Sequence, residues 1–372
     1  MMSPAAFASR PLLRIVIIGL SITSSWGNGH ATTYRGLMRA LVERGHDVLF
    51  LEQDVPWFES HRDLPHPPFG RTVLYANVEA LRRRHAGDVE GADLVIVGSF
   101  VQHGAEVGDW VQRTAGGITA FYDIDTPVTM GRLENPGSPA ERYLDARQIA
   151  GYDLYLSFAG GPVLRRLEDE FGARAARVLY CAVDADLYYP ERRDPAWDLG
   201  YLGTYSEDRQ PRVEAMLLAP ARQWAAGRFN IAGAKYAARE SWPPNVSHFP
   251  HVPASEHRAY YNAQRFTLNV TRDDMIAAGW SPSVRLFEAA ACGTPIISDR
   301  WDGIGTLLEP GKEIFLADTS GEVLHLLREL PEEVRRATGE RARARILAGH
   351  TSHIRAAQLE AYLSEARAAA LA

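Results

Sequence analysis

A chain of 372 residues exceeds what one ordinary hydrophobic core encloses, so two domains are the default reading. Hydrophobic content of 46% and charged content of 23% belong to a globular protein, and a formal net charge of −6 gives no general attraction to nucleic acid or anionic lipid. Small molecules are therefore the expected partners, and the two cysteines, Cys181 and Cys292, each inside an apolar segment, argue against a disulfide framework and for the reducing cytoplasm.

The apolar run Ile15–Leu20 is too short for a signal core and reads as a first strand. No window approaches the roughly 20 apolar residues of a membrane span, so no integral membrane segment is expected. Further apolar runs follow: with Arg14–Gly19 they are Asp47–Glu52, Asp93–Gly98, Ile118–Asp123, Asp153–Phe158 and Arg177–Cys181, and all predict buried strands. Helices fill the gaps. In the first, Tyr34, Leu37, Met38 and Leu41 follow the 3.6-residue period up to a stop at Gly45. This alternation predicts a doubly wound parallel sheet with ligand loops at the carboxyl ends of its strands. Two prolines and a charge run make Asp184–Trp197 a hinge. A second series begins beyond it, with strands at Leu199–Gly203, Phe229–Ala232, Phe266–Val270, Pro295–Ser298 and Ile314–Ala317, and only helices after about Val323.

Several strand-end loops carry chemistry. The first places Gly27, Asn28 and Gly29 before His30, so something approaches its backbone. These glycines lie too far past the strand for a dinucleotide fingerprint. His30 is either a base or hydrogen-bond donor to substrate, or a plain helix-capping residue. Asp123 and Asp125 end a strand, where two carboxylates can hold a divalent metal, contact substrate or act as base, or merely cap a turn. In the second series, Arg209 and Arg212 follow one strand, and Asn269, Thr271 and Arg272 end another. Residues 281–293 read as a bounded helix, with Ser281 as N-cap, Pro282 in the first turn and Gly293 as left-handed stop. Ser281, Arg285, Glu288 and Cys292 share one stripe, with Ser283 and Val284 in the first turn. That arrangement suits a diphosphate on the helix N-terminus neutralised by Arg285, with Glu288 accepting from ribose hydroxyls. The plainer alternative is an amphipathic helix with a surface Arg–Glu pair.

The segment Leu268–Asp299, together with Trp26–His30, Tyr122–Val128 and Tyr201–Tyr205, resembles glycosyltransferases of the GT-B fold and, more narrowly, the CgeB-like branch named after a spore maturation protein. The resemblance spans roughly residues 14–330. It implies an α/β protein of two Rossmann-like doubly wound domains facing across a cleft: an acceptor domain at 1–188, a nucleotide-sugar donor domain at 198–350, and a last helix at 351–372 crossing back to the first domain. The implied activity moves a sugar, with UDP as the default carrier, to an acceptor that is a protein, a glycan, a lipid-linked glycan or a small metabolite. No metal or other cofactor is implied.

Residue by residue, the resemblance puts His30 and Asp125 at catalysis and Gly27, Asn28, Gly29 and Asp123 along the acceptor side of the cleft. Arg209, Asn269, Thr271, Arg272, Ser281, Ser283, Val284, Arg285 and Glu288 then line the donor, with Arg272 steadying the leaving diphosphate. One departure stands out. Many retaining relatives carry two glutamates with seven residues between them, and the first of these positions is Trp280 here. Donor sugar and stereochemical outcome stay open, and the indole is a candidate to flank the sugar ring. Two other readings share these contacts: a nucleotide-sugar epimerase and a catalytically silent nucleotide-binding paralogue. A dinucleotide-dependent oxidoreductase fits least, because neither sheet begins with a glycine fingerprint.

Overall fold

The computed structural model describes residues 12–27, 29–134, 143–237 and 241–371. In the first half the described strands are β1 (Arg14–Gly19), β2 (Asp47–Gln53), β3 (Arg71–Tyr75), β4 (Leu94–Gly98), β5 (Ile118–Asp123), β6 (Leu154–Ser157) and β7 (Ala176–Val178). They form one parallel sheet in the order β3-β2-β1-β4-β5-β6-β7. The side chains of β1 explain why the run is continuously apolar: Ile15 and Ile17 enter one core, Val16 and Ile18 the other, so both faces are covered. Helix His30–Glu43 closes one face with Tyr34, Leu37, Met38 and Leu41, all buried.

The second half repeats the plan. Its strands β8 (Trp197–Leu202), β9 (Phe229–Ala232), β10 (Val246–Phe249), β11 (Gln264–Asn269), β12 (Ile296–Ser298) and β13 (Phe315–Leu316) run parallel in the order β10-β9-β8-β11-β12-β13. Of the four edge strands, β3 and β10 lack the apolar runs that mark the others, because each keeps several residues partly exposed. Chain order reverses between β1 and β4 in the first sheet and between β8 and β11 in the second. Such switch points open a crevice at the carboxyl ends of the strands.

Helix Ser352–Leu371 returns to the first half and lies along helix His30–Glu43. Glu360 takes Arg44 Nε and Nη2 at 2.5 and 2.6 Å and His46 Nε2 at 2.8 Å, and Arg367 pairs with Asp93. Among the described residues no helix is long and apolar enough to cross a membrane.

Candidate active site between the two sheets

The loop after β1 is held from below by Glu52, a fully buried carboxylate that accepts from Ser21 Oγ (3.0 Å), Ile22 N (2.7 Å), Thr23 N (3.0 Å) and Thr23 Oγ1 (2.6 Å). No motif marks Glu52 for this role. Above it Gly27 and Gly29 are exposed, with open space around both, and Asn28 lies outside the described residues. The loop then delivers His30 to the start of its helix, beside the loop that follows β5.

There the two residues expected separately meet: His30 Nε2 lies 2.6 Å from Asp125 Oδ2. The Asp125 side chain is 32% exposed against 10% for His30, so the carboxylate is the face a substrate meets first. Burial pushes its pKa up, but the charge and hydrogen bond of His30, then Arg272 and Arg132, outweigh it and hold the group below the usual carboxylate range.

Asp123 does the opposite. It was expected along the cleft, yet it is fully buried behind the pair, accepting from Tyr155 Oη (2.6 Å), Thr129 Oγ1 (2.7 Å) and Asp125 N (3.3 Å). As the last residue of β5 its side chain is still inside the sheet's packing, while the turn after it frees Asp125. Burial dominates despite the Tyr155 and Thr129 bonds, and with Asp125 nearby its pKa is pushed up to about 6.

The loop after β4 adds residues no motif flagged. Phe100 (φ 60°) and His103 (φ 53°) both adopt left-handed backbone, costly for a bulky side chain. The Phe100 ring stands edge-on to His30 at 5.8 Å.

Across the cleft, Arg272 follows β11 with its side chain 42% exposed and Asp208 Oδ2 at 3.8 Å as its ion-pair partner among the described residues. Asn269 and Thr271 are buried: Asn269 Nδ2 donates to Ser298 Oγ (2.9 Å) and Thr271 Oγ1 (3.2 Å), and Thr271 gives its N–H and hydroxyl to Asp299 (2.8 and 2.7 Å). These bonds fix the strand end that aims Arg272. Arg209 turns back on its own loop, donating to Thr204 O (2.5 Å) and Ser206 Oγ (2.9 Å), and Arg212 pairs with Asp273 at 2.6 Å.

The signature helix differs from its sequence reading at its start. It runs Val284–Ala291 with Ser283, not Ser281, as N-cap; Ser283 Oγ accepts from Arg285 N at 3.4 Å. Residues 280–282 stay outside the helix because the carbonyls of Trp280 and Pro282 serve the first half: Trp280 O accepts Gly160 N–H (2.9 Å), and Cys181 Sγ lies 3.8 Å from Pro282 O. Ser281 is buried, whereas Ser283 and Val284 remain partly exposed.

Arg285 and Glu288 are likewise no surface pair. Arg285, 5% exposed, donates from Nε to Leu202 O (2.7 Å) and from Nη1 to Asn269 Oδ1 (2.7 Å), over the Tyr201 ring at 4.9 Å. Glu288, 2% exposed, accepts from Tyr188 Oη and Tyr261 Oη, each at 3.0 Å, with His257 Nδ1 at 3.4 Å. Burial lowers the His257 pKa, but its ion pair and hydrogen bond with Glu288 win and raise it. The open ribose reader expected at Glu288 is thus a carboxylate enclosed by donors from the hinge and a neighbouring helix.

Residues 209–361 match the model of a family described as glycosyl transferase-like. No curated protein matches the chain. Solved structures match along its length: sucrose-phosphate synthase from Thermosynechococcus elongatus superposes with TM-score 0.72 at 16% identity, covering 96% of this chain and 100% of that one. Anabaena Alr3699/HepE in complex with UDP-glucose does so with TM-score 0.67 at 14% identity, covering 95% and 100%. An alpha-glucosyltransferase in complex with UDP and a 13-mer DNA gives 0.69 at 13% identity, again over 95% and 100%. The chain has the GT-B fold.

In this GT-B chain the two halves are pinned by Trp280. Its backbone is left-handed (φ 43°), and its N–H donates to Asp302 O at 2.6 Å. Its indole fills the gap between Gly161 of the first half and Gly303 of the second; a Cβ on either would come within 2.5 Å of the ring. Both glycines have positive φ, 62° and 93°, so both positions exclude larger residues twice over. The indole expected beside a sugar ring is therefore an interdomain peg. Among the described residues no group of three or more His, Cys, Asp and Glu side chains is arranged to hold a metal ion.

Proposed function

We propose that the protein transfers a sugar from a nucleotide-diphosphate sugar, with UDP as the carrier, to a hydroxyl of an acceptor held by the first domain. The observation that carries this reading is the 2.6 Å His30–Asp125 pair at one switch point, with Arg272 at the other contributing to the field on Asp125. The glycosyl transferase-like match over residues 209–361 and the UDP bound in fold relatives support it. The narrower placement in the CgeB-like branch is proposed on sequence resemblance alone, in the blocks Tyr122–Val128 and Leu268–Asp299 that carry Asp125 and Arg272.

In this reading Asp125 accepts the hydrogen bond of the acceptor hydroxyl, and as the oxygen attacks the anomeric carbon its proton is taken up by the His30–Asp125 pair as one coupled unit. The bond from the anomeric carbon to the diphosphate oxygen breaks, and the electron pair leaves on UDP. Arg272 and the N–H groups at Ser283–Arg285 stabilise that growing charge, while Arg209 orders the neighbouring loop. Arg285, Asn269, Thr271, Ser281 and Glu288 support this floor from beneath.

The test is a UDP titration by calorimetry, followed by incubation with a panel of UDP- and GDP-sugars while nucleoside diphosphate release and sugar products are followed by NMR. UDP binding with sugar transfer or slow hydrolysis supports the proposal. Epimerised nucleotide sugar without diphosphate release, or no nucleotide binding, contradicts it.

A further inference from the structure

Arg132 is exposed on helix Thr126–Glu134, yet its guanidinium is not loose: it lies 4.9 Å from the Phe100 ring centroid and 5.4 Å from that of Tyr143. Both shelves are themselves fixed. Phe100 holds a left-handed backbone and stands against His30, and the Tyr143 hydroxyl shares a 2.7 Å bond with Thr129 Oγ1, which also donates to the buried Asp123. The Tyr143 backbone in turn packs so closely on Gly104 that a Cβ there would fall 2.6 Å from Tyr143 O.

Stacking uses the faces of a guanidinium and leaves its five N–H donors on the rim. Among the described residues Arg132 has no ion pair and no hydrogen bond, although its field reaches Asp125. A pre-positioned, unneutralised cation thus shares the Phe100 ring with the histidine of the pair, on the first-domain side of the cleft. Its planar fork matches carboxylate or phosphate oxygens, and being held by two rings it loses little freedom on binding them.

Resting on the sugar-transfer reading above, we infer that Arg132 is a specificity-determining residue which binds an anionic group, carboxylate or phosphate, on the acceptor and thereby presents a nearby hydroxyl to Asp125. The acceptor is then an acidic or phosphorylated molecule rather than a neutral sugar.

The test uses three probes on one ring, glucose, glucuronate and glucose 6-phosphate, titrated by NMR into the full chain with and without saturating UDP. The anionic probes should bind at least about tenfold more tightly than glucose with the diphosphate site already filled by UDP. Arg132→Gln should erase that preference and leave UDP affinity unchanged, Arg132→Lys should retain part of it, and Arg113→Gln, an exposed cation elsewhere on the first domain, should keep all of it. Equal binding of neutral and anionic probes, or a preference that survives Arg132→Gln, overturns the inference. So does a loss confined to UDP affinity, which would assign Arg132 to the donor diphosphate instead. A wild-type protein that fails to bind UDP refutes the sugar-transfer reading, whereas UDP binding without anion preference refutes only the inference about Arg132.

Discussion

Asp123 and Asp125, two residues apart, should titrate in opposite senses, and replacing the buried one isolates the effect. In Asp123→Asn the amide can still meet Tyr155 and Thr129 but carries no titrating proton. Asp123 in the folded protein is pushed up to about 6, against 3.8 for a free aspartate, so between those pH values the unfolded chain gives up its proton while the folded chain keeps it. Stability from this group is therefore fully present below about pH 4 and is lost as pH rises through about 6. A shift of about two units corresponds to about 3 kcal/mol. Urea unfolding of wild type and variant at pH 4 and pH 7.5 measures it, because the fixed cost of the substitution cancels in the difference between the two pH values. The variant should gain about 2.4 kcal/mol relative to wild type over that interval, because at pH 4 the unfolded chain has already begun to release this proton. A difference that stays constant within about 0.5 kcal/mol would refute the assignment of Asp123 as a buried, reluctant acid.

Arg285→Ala should destabilise the second domain by about 2–4 kcal/mol, because Leu202 O and Asn269 Oδ1 lose a charged donor inside the protein; urea unfolding checks it, and normal stability with lost UDP binding would restore Arg285 as a phosphate ligand. Ser283→Ala, at the cap, should cost only about 1 kcal/mol in the same assay. Transfer should persist in EDTA, since Arg272 and the helix N-terminus supply the positive charge at the diphosphate; loss restored by Mn²⁺ or Mg²⁺ would show that they do not suffice.

The architecture was legible where burial is two-sided. Runs such as Ile15–Ile18 are apolar on both faces and announce themselves, while β3 and β10, half-exposed at sheet edges, leave no such trace. His30 and Asp125 were each visible as strand-end residues, but their contact joins positions 95 apart and depends on which strands neighbour which. Asp123 shows the limit of counting along a strand, since one turn decides whether a carboxylate faces the cleft or the core. The cap moved to Ser283 because the carbonyls of Trp280 and Pro282 answer to the first half, a tertiary demand that local helix signals do not encode. The same holds for Trp280 and Arg132: an indole between two glycines and a cation on two rings are built by packing across the fold, from residues that look ordinary in sequence.

The central claim, that His30 and Asp125 act as one proton-accepting unit opposite the donor, is tested most directly by comparing turnover and UDP affinity in His30→Ala, Asp125→Asn and the double variant. With the best UDP-sugar and acceptor from the panel, each single variant should lower kcat by about 10²-fold or more, the double variant should be scarcely worse than either, and UDP affinity should hold within about twofold. Parent-like turnover in both single variants, or losses that multiply in the double variant, would contradict it.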